Sequence, residues 1–317
     1  MSKSTVVSPP SGPRERLAIL AAFAVIYLVW GSTFLGIRIA VQTLPPLSMA
    51  AIRFLVSGAV LLALGRAHVK RPPLRQWANA GAIGALFFFG NHSLVGTASR
   101  ILPSSIVCLI VATEVPIIAL ISSAFLRNQP LTFRVVVGSM LGLLGVASLF
   151  LHNAPGEAAL PLVPCLMVLG AAISWSIGAV ISRRLAGPTD PLLRSGMQMT
   201  TGGVMLALGG LARGETLTSA AFTPRALSAL VYLIVLGSVL AFACYTWLLE
   251  RVRTEAVATH VFVNPLVATA LGAWVGGEQL RSAQVVAGVL ILASVLIITF
   301  RPSSAKVAQP EESGTTV

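Results

Sequence analysis

Charge is what this sequence has least of. Only 10% of its 317 residues are charged, and ten acids stand against 22 Lys and Arg. A soluble domain carries about 25% charged residues, so this composition excludes an ordinary soluble globule. Cysteine is nearly missing too. Cys108, Cys165 and Cys244 lie inside or at the edge of apolar blocks, and no CxxC pair occurs. That excludes a disulfide framework and a zinc site, and the three read as small buried hydrophobes. No Walker A sequence is present, so ATP does not drive the chain. No GxSxG occurs, and one carboxylate, Glu114, is read as buried. An intramembrane enzyme is therefore only a distant alternative. No cofactor or metal is expected.

What the chain has is apolar length. Hydrophobic residues make up 56% of it, in blocks at about 17–40, 48–65, 77–97, 103–126, 134–151, 161–183, 192–212, 226–249, 254–275 and 282–300. A hydrocarbon core needs roughly 20 apolar residues per helix. The blocks therefore predict an all-α membrane protein with ten transmembrane helices, not a barrel. The first block is too long for a cleaved signal segment. Residues 1–16 and 301–317 are polar and read as disordered cytoplasmic ends.

The net charge of +12 would point to nucleic acid in a soluble protein. Here the cations lie in the loops, so the partner is the lipid bilayer and not nucleic acid. With the N-terminus in the cytoplasm, sixteen Lys and Arg fall on that side. Five, Arg38, Arg100, Arg213, Arg225 and Arg281, fall on the other, and Arg53 lies within a span. The bias places both termini in the cytoplasm, as an even number of spans requires.

The two halves, 17–151 and 161–300, resemble each other. At an offset of 145 residues Trp30 meets Trp175 and Pro46 meets Pro191; at 149, Pro116 meets Pro265. Each half holds five blocks, so the second enters the membrane upside down. Two inverted five-helix repeats with a midplane site at their interface is the pattern of secondary transporters.

The stretch YTWLLERVRTEAVATHVFVNPLVATALGAWVGGEQL (245–280) resembles the second half of EamA-type transporters of the drug/metabolite transporter superfamily, through Tyr245, Leu248, Leu249, Asn264, Pro265, Gly277 and Glu278. The first half is similar through Trp30-Gly31-Ser32-Thr33, Arg53 and Pro116. The resemblance covers about residues 17–300. It implies ten helices as two inverted repeats, and export of amino acids, related metabolites or drugs. The chain departs from the pattern at Asn128-Gln129, where a Gly-Glu pair is expected, and at Gly96, which matches Tyr245.

Pro116 and Pro265 each remove an N–H, from the carbonyls of Ala112 and Val261 respectively. Broken helices at matching repeat positions point to a cavity. Glu114 falls near the midplane, where a lone carboxylate costs at least about 2.5 kcal/mol. It must stay protonated or pair with a cation, and Arg53 is the one candidate cation within the spans. Glu114 is read as a proton or substrate-amine site, or as a neutral packing carboxyl. Arg53 is read as a carboxylate anchor, or as a side chain that snorkels to the surface. His260 and Asn264 share one face of the ninth helix, and His92 lies in the third. Tyr245 follows Ser238 and Phe242 along the eighth. Trp30 and Trp175 sit mid-span, away from the usual interfacial belt, and are expected to line the cavity with Glu114 and Asn264. Glu278 is expected to cap the tenth helix or pair with Arg281.

The sequence thus reads as a secondary transporter exporting small amphipathic metabolites, amino acids or their relatives, with proton coupling or facilitated diffusion open. The alternative is a multidrug or lipid-like substrate. Oligomeric state is not readable.

Overall fold

The computed structural model describes residues 12–65, 72–125, 131–151, 160–249, 251–252, 254–257 and 259–299. Helices α1 (Pro13–Ala40), α2 (Pro46–Gly65) and α3 (Leu74–Gly84) come first. A π-helical segment, Ala85–Gly90, joins α3 to α4 (Asn91–Ala98). Next are α5 (Ser104–Val111), α6 (Glu114–Phe125), α7 (Phe133–Leu151), α8 (Leu162–Ser182) and α9 (Pro191–Ala212). A second π-segment, Leu233–Leu240, joins α10 (Pro224–Tyr232) to α11 (Ala241–Leu249). The short α12 (Thr254–Val257), then α13 (His260–Trp274) and α14 (Ser282–Thr299), complete the order. Among the described residues there is no strand.

Five helices or helix pairs are long and apolar enough to cross a membrane: Pro13–Ala40, Pro46–Gly65, Ser104–Phe125, Leu162–Ser182 and Pro224–Leu249. Other apolar helices are shorter. Several helices start earlier than the apolar blocks because a proline opens them, as Pro13, Pro46, Pro191 and Pro224 do. Proline fits a first turn, where its missing N–H has no intrahelical partner to lose. Residues 13–16, expected to be disordered, are therefore already helical; residues 1–11 and 300–317 lie outside the described residues.

The fourth block is broken. Helix α5 stops at Val111, Ala112 and Thr113 turn, and α6 begins at Glu114. With Pro116 unable to donate, the Ala112 carbonyl makes a 3.5 Å contact with the Val115 N–H instead. Glu114 thereby stands in the first turn of a helix, where the dipole favours negative charge, rather than mid-helix as expected. The ninth block behaves differently. Its interruption falls between Val257 and His260, and α13 runs on through Pro265.

The helices pack as a cycle with outriggers. Helix α1 lies against α13, α13 against α5, and α5 and α6 against α8. Helix α8 lies against α4 and the first π-segment; α2 bridges α4 to the second π-segment, which returns to α1. Outside this cycle α9 lies along α2 and α14 along α7. The α2–α9 crossing is close enough to need glycine: a Cβ on Gly196 would stand 2.8 Å from the Leu62 backbone nitrogen and 3.1 Å from the Gly58 carbonyl. In lipid, such close backbone approach, and not hydrophobicity, drives helix association.

Loops gather at two ends. The distal end holds 41–45, 99–103, 213–223 and 275–281, tied by Arg100 to the Val41 carbonyl and by Thr43 to the Ala221 carbonyl. The proximal end holds the start of α1, residues 183–190 and residues 251–252. Near the distal end Val41, Leu44, Leu102, Ile106 and Val107 are wholly buried in one apolar cluster.

Candidate functional site

Four of the expected site residues meet in one place. The Trp30 ring lies 5.2 Å from Tyr245 and 5.0 Å from His260. Phe242 packs edge-on to the same indole at 5.5 Å. Asn264, one turn beyond His260, completes the group. With its amide nitrogen turned to the backbone, it donates to the Tyr27 carbonyl at 3.3 Å and the His260 carbonyl at 3.0 Å. It therefore staples α13 to α1. Tyr27 also shares a short hydroxyl contact with Thr259, at the interruption before α13.

The second π-segment links this group to Arg53. Trp30 Nε1 donates to the Gly237 carbonyl at 3.2 Å, and the next residue, Ser238, accepts from Arg53 Nε at 2.9 Å. A π turn leaves carbonyls without their helical donors, so side chains can reach them. Arg53 does not snorkel. It is 5% exposed, with its guanidinium 4.8 Å from the Phe54 ring centroid. His92 stands beside it, edge-on to Phe54 at 4.5 Å and stacked on Phe88 at 5.9 Å. The His92 Nδ1 meets the Phe87 carbonyl, five residues back in the first π-segment, at 3.1 Å.

Trp175 and Glu114 lie on the other side of the cycle. Trp175 stacks on Phe87 at 4.2 Å, and its neighbour Ser174 donates to the Leu86 carbonyl at 2.8 Å. On the next residue, the Ser176 hydroxyl lies 3.3 Å from the Glu114 backbone carbonyl. The expected Arg53–Glu114 pair does not form; an ion pair joins Arg38 and Glu278 instead. A buried cation and an acid thus stand apart. Leaving a cation at membrane depth costs at least about 2.5 kcal/mol unless something compensates it.

Glu278 also departs from expectation. It neither caps α14 nor pairs with Arg281. Gln284 takes the Arg281 N–H, while Glu278 reaches across to α5 and accepts from the N–H and hydroxyl groups of both Ser104 and Ser105. Its side chain is 3% exposed, so it is a second buried carboxylate. Burial alone would raise this carboxyl, but the four hydrogen bonds outweigh burial and hold it below the usual carboxylate range. Glu215 does the same for α2, accepting from Leu47 N, Ser48 N and Ser48 Oγ. Sequence reasoning missed both clamps. Their partners lie far off in the chain, and no local spacing encodes them. The π-segments left no trace in the apolar pattern either. Among the described residues no group of His, Cys, Asp and Glu could hold a metal ion.

The comparisons agree with this architecture. The EamA-like transporter family matches the chain twice, over residues 16–151 and 162–300. The "Uncharacterized inner membrane transporter YedA" of Escherichia coli strain K12 is 35% identical over 290 residues, covering 90% of this chain and 92% of its own. A "Probable amino-acid metabolite efflux pump" of Salmonella typhimurium is 23% identical, over 87% of this chain and 92% of its own. A solved crystal structure superposes with a TM-score of 0.60 at 25% identity, covering 90% of this chain and 96% of that one. Apolar spans and a family match over both halves converge. The chain belongs to the EamA-like transporter family and is a multi-pass inner-membrane transporter of small molecules, not an enzyme.

Proposed function

We propose that the chain exports small amphipathic metabolites, amino acids or their relatives, by alternating access through ten spans built as two inverted five-helix repeats. One reciprocal contact carries this reading. Trp30, in the first half, donates to the π-segment of the second; Trp175, its partner at an offset of 145, stacks on the π-segment of the first. Such exchange is what a two-fold axis in the membrane plane generates. The pairing of α2 with α9 and of α7 with α14, each a repeat mate, supports the same axis. Both termini lie in the cytoplasm by the charge bias, so the distal end is the outer one and is packed shut here.

Trp30, Tyr245, His260 and Asn264 form one wall of the substrate site, with Arg53 and His92 beside it and Trp175 and Glu114 opposite. Glu114 is the proton site. The amino-acid class rests on the named efflux pump among the relatives. The test is counterflow in proteoliposomes: labelled amino acid accumulates against an unlabelled internal pool, and Trp30→Ala and Trp175→Ala each abolish it. Wild-type accumulation no greater than in empty vesicles, across the amino acids, would refute the substrate class.

A lipid-like substrate is the second reading. A groove of about 690 Å³ between α1, α10 and α13 favours it, mostly apolar but with Arg225 and Ser228 in its lining. Protein-dependent flipping of a fluorescent phospholipid, without amino-acid counterflow, would select it.

A further inference from the structure

Arg53 is a bound cation without an anion. Ser238 occupies its Nε, Phe54 lies under its plane, and His92 stands edge-on to that ring. The Arg53 terminal nitrogens meet no hydrogen-bond acceptor among the described residues, and no acid forms an ion pair with it there. Two other acids are committed elsewhere: Glu215 caps α2 and Glu278 caps α5. Glu114 lies across the cycle against α8. Gly237, with no side chain, keeps the space open between Arg53 and Thr33; a Cβ there would come within 3.0 Å of Thr33 and 3.5 Å of Arg53. Across that glycine, its carbonyl holds Trp30.

A buried guanidinium with its end-on fork unfilled is a receptor for an oxyanion pair. We infer that the substrate is an amphipathic carboxylate whose anionic group docks on Arg53 and whose apolar body lies along Trp30. This deepens the transporter reading and rests on it. It also narrows the class. The carboxylate has a built partner; an amine has none among the described residues, where no acid forms an ion pair or hydrogen bond with Arg53 or the Trp30 cluster. The acid is thus the required group and the ammonium dispensable.

Three probes that differ by one group separate these requirements: phenylalanine, hydrocinnamate, which lacks the amine, and phenethylamine, which lacks the acid. Each is added in excess to the purified full-length chain in detergent, and its effect on the thermal unfolding midpoint is read. Phenylalanine and hydrocinnamate should both raise the midpoint, and phenethylamine should not. Arg53→Met, which keeps the volume without the charge, should weaken both carboxylates by about tenfold or more, the loss expected of a charge-assisted hydrogen bond. Arg53→Lys should recover part of it. Size-exclusion profiles establish that each variant is folded. A shift with phenethylamine alone, equal shifts in wild type and Arg53→Met, or no shift with either carboxylate overturns the inference.

The transporter reading is judged separately. Proteoliposomes are loaded with a mixed small-metabolite extract, and efflux is followed by mass spectrometry. Protein-dependent loss of amines or neutral species only sinks the carboxylate anchor and leaves a transporter. Loss of nothing sinks the transporter reading itself. Loss of carboxylates that Arg53→Met abolishes supports both.

Discussion

The Glu278 carboxylate receives both the backbone N–H and the hydroxyl of Ser104, each at 2.7 Å. The two residues are 174 apart in sequence. Glu278→Gln keeps the size but turns an acceptor-only group into a half-donor facing donors. It should destabilise the chain by about 1–3 kcal/mol, visible as a lower unfolding midpoint in detergent.

The same clamp makes stability depend on acid. The folded-state carboxyl titrates below its ordinary value. Its contribution is therefore complete above the usual carboxylate range and is lost as pH falls through the lowered folded value. Wild type should lose midpoint on acidification there, and Glu278→Gln should lose less. Parallel curves for the two would exclude the clamp as the cause.

Glu215 and Glu278 cap different helices and share no partner. Glu215→Ala should cost about 0.5–2 kcal/mol, as a lost N-cap does. The double variant should lose the sum of the single effects. A loss well short of the sum would mean that the two clamps open together.

Gly196→Ala presses a methyl group onto the α2 backbone near Gly58 and Leu62. Backbone cannot step aside as a side chain can, so the crossing should loosen by about 1–3 kcal/mol. Faster proteolysis at fixed protease is the measure. Gly81→Ala, where nothing lies within 4 Å, is the control: it keeps only the helix-propensity gain of Ala over Gly, so its proteolysis should be no faster than wild type.

Glu114→Gln should remove any response of transport to an imposed pH gradient while leaving the chain folded, since the amide mimics the neutral acid. Persistence of that response in the variant would assign the proton elsewhere. His260, half-buried against Trp30, is then the next residue to change.

Much of this fold was legible in the residues. Apolar length located the helical blocks, and the Trp30–Trp175 match pointed to two residues that do pack on π-segments of opposite halves. Proline proved a partial guide. Pro116 coincides with an interruption because α6 restarts just before it, whereas α13 absorbs Pro265 and breaks instead before His260. Trp30 and Asn264 were expected to line one cavity with Trp175 and Glu114; in the fold they stand with Tyr245 and His260, and Trp175 and Glu114 pack across the cycle. The partner of Arg53 was not legible. Composition offered one interior acid and one interior cation, and pairing them was economical, but α4 and α8 stand between the two. The clamps at Glu215 and Glu278 were illegible because each joins elements from different halves.

The first π-segment also fixes a rotational phase. It carries one more residue per turn than the α-helix on either side, like an insertion held within a continuous rod. Each α-helical residue advances the face by about 100°. Winding Ala85–Gly90 into regular α-helix with every residue kept would swing α4 by about that angle. His92 would leave Phe54 and Arg53, and Asn91 would lose the Ala171 carbonyl it now holds at 3.0 Å. A helix without the π turn would keep its hydropathy profile and have its binding surface facing the wrong way.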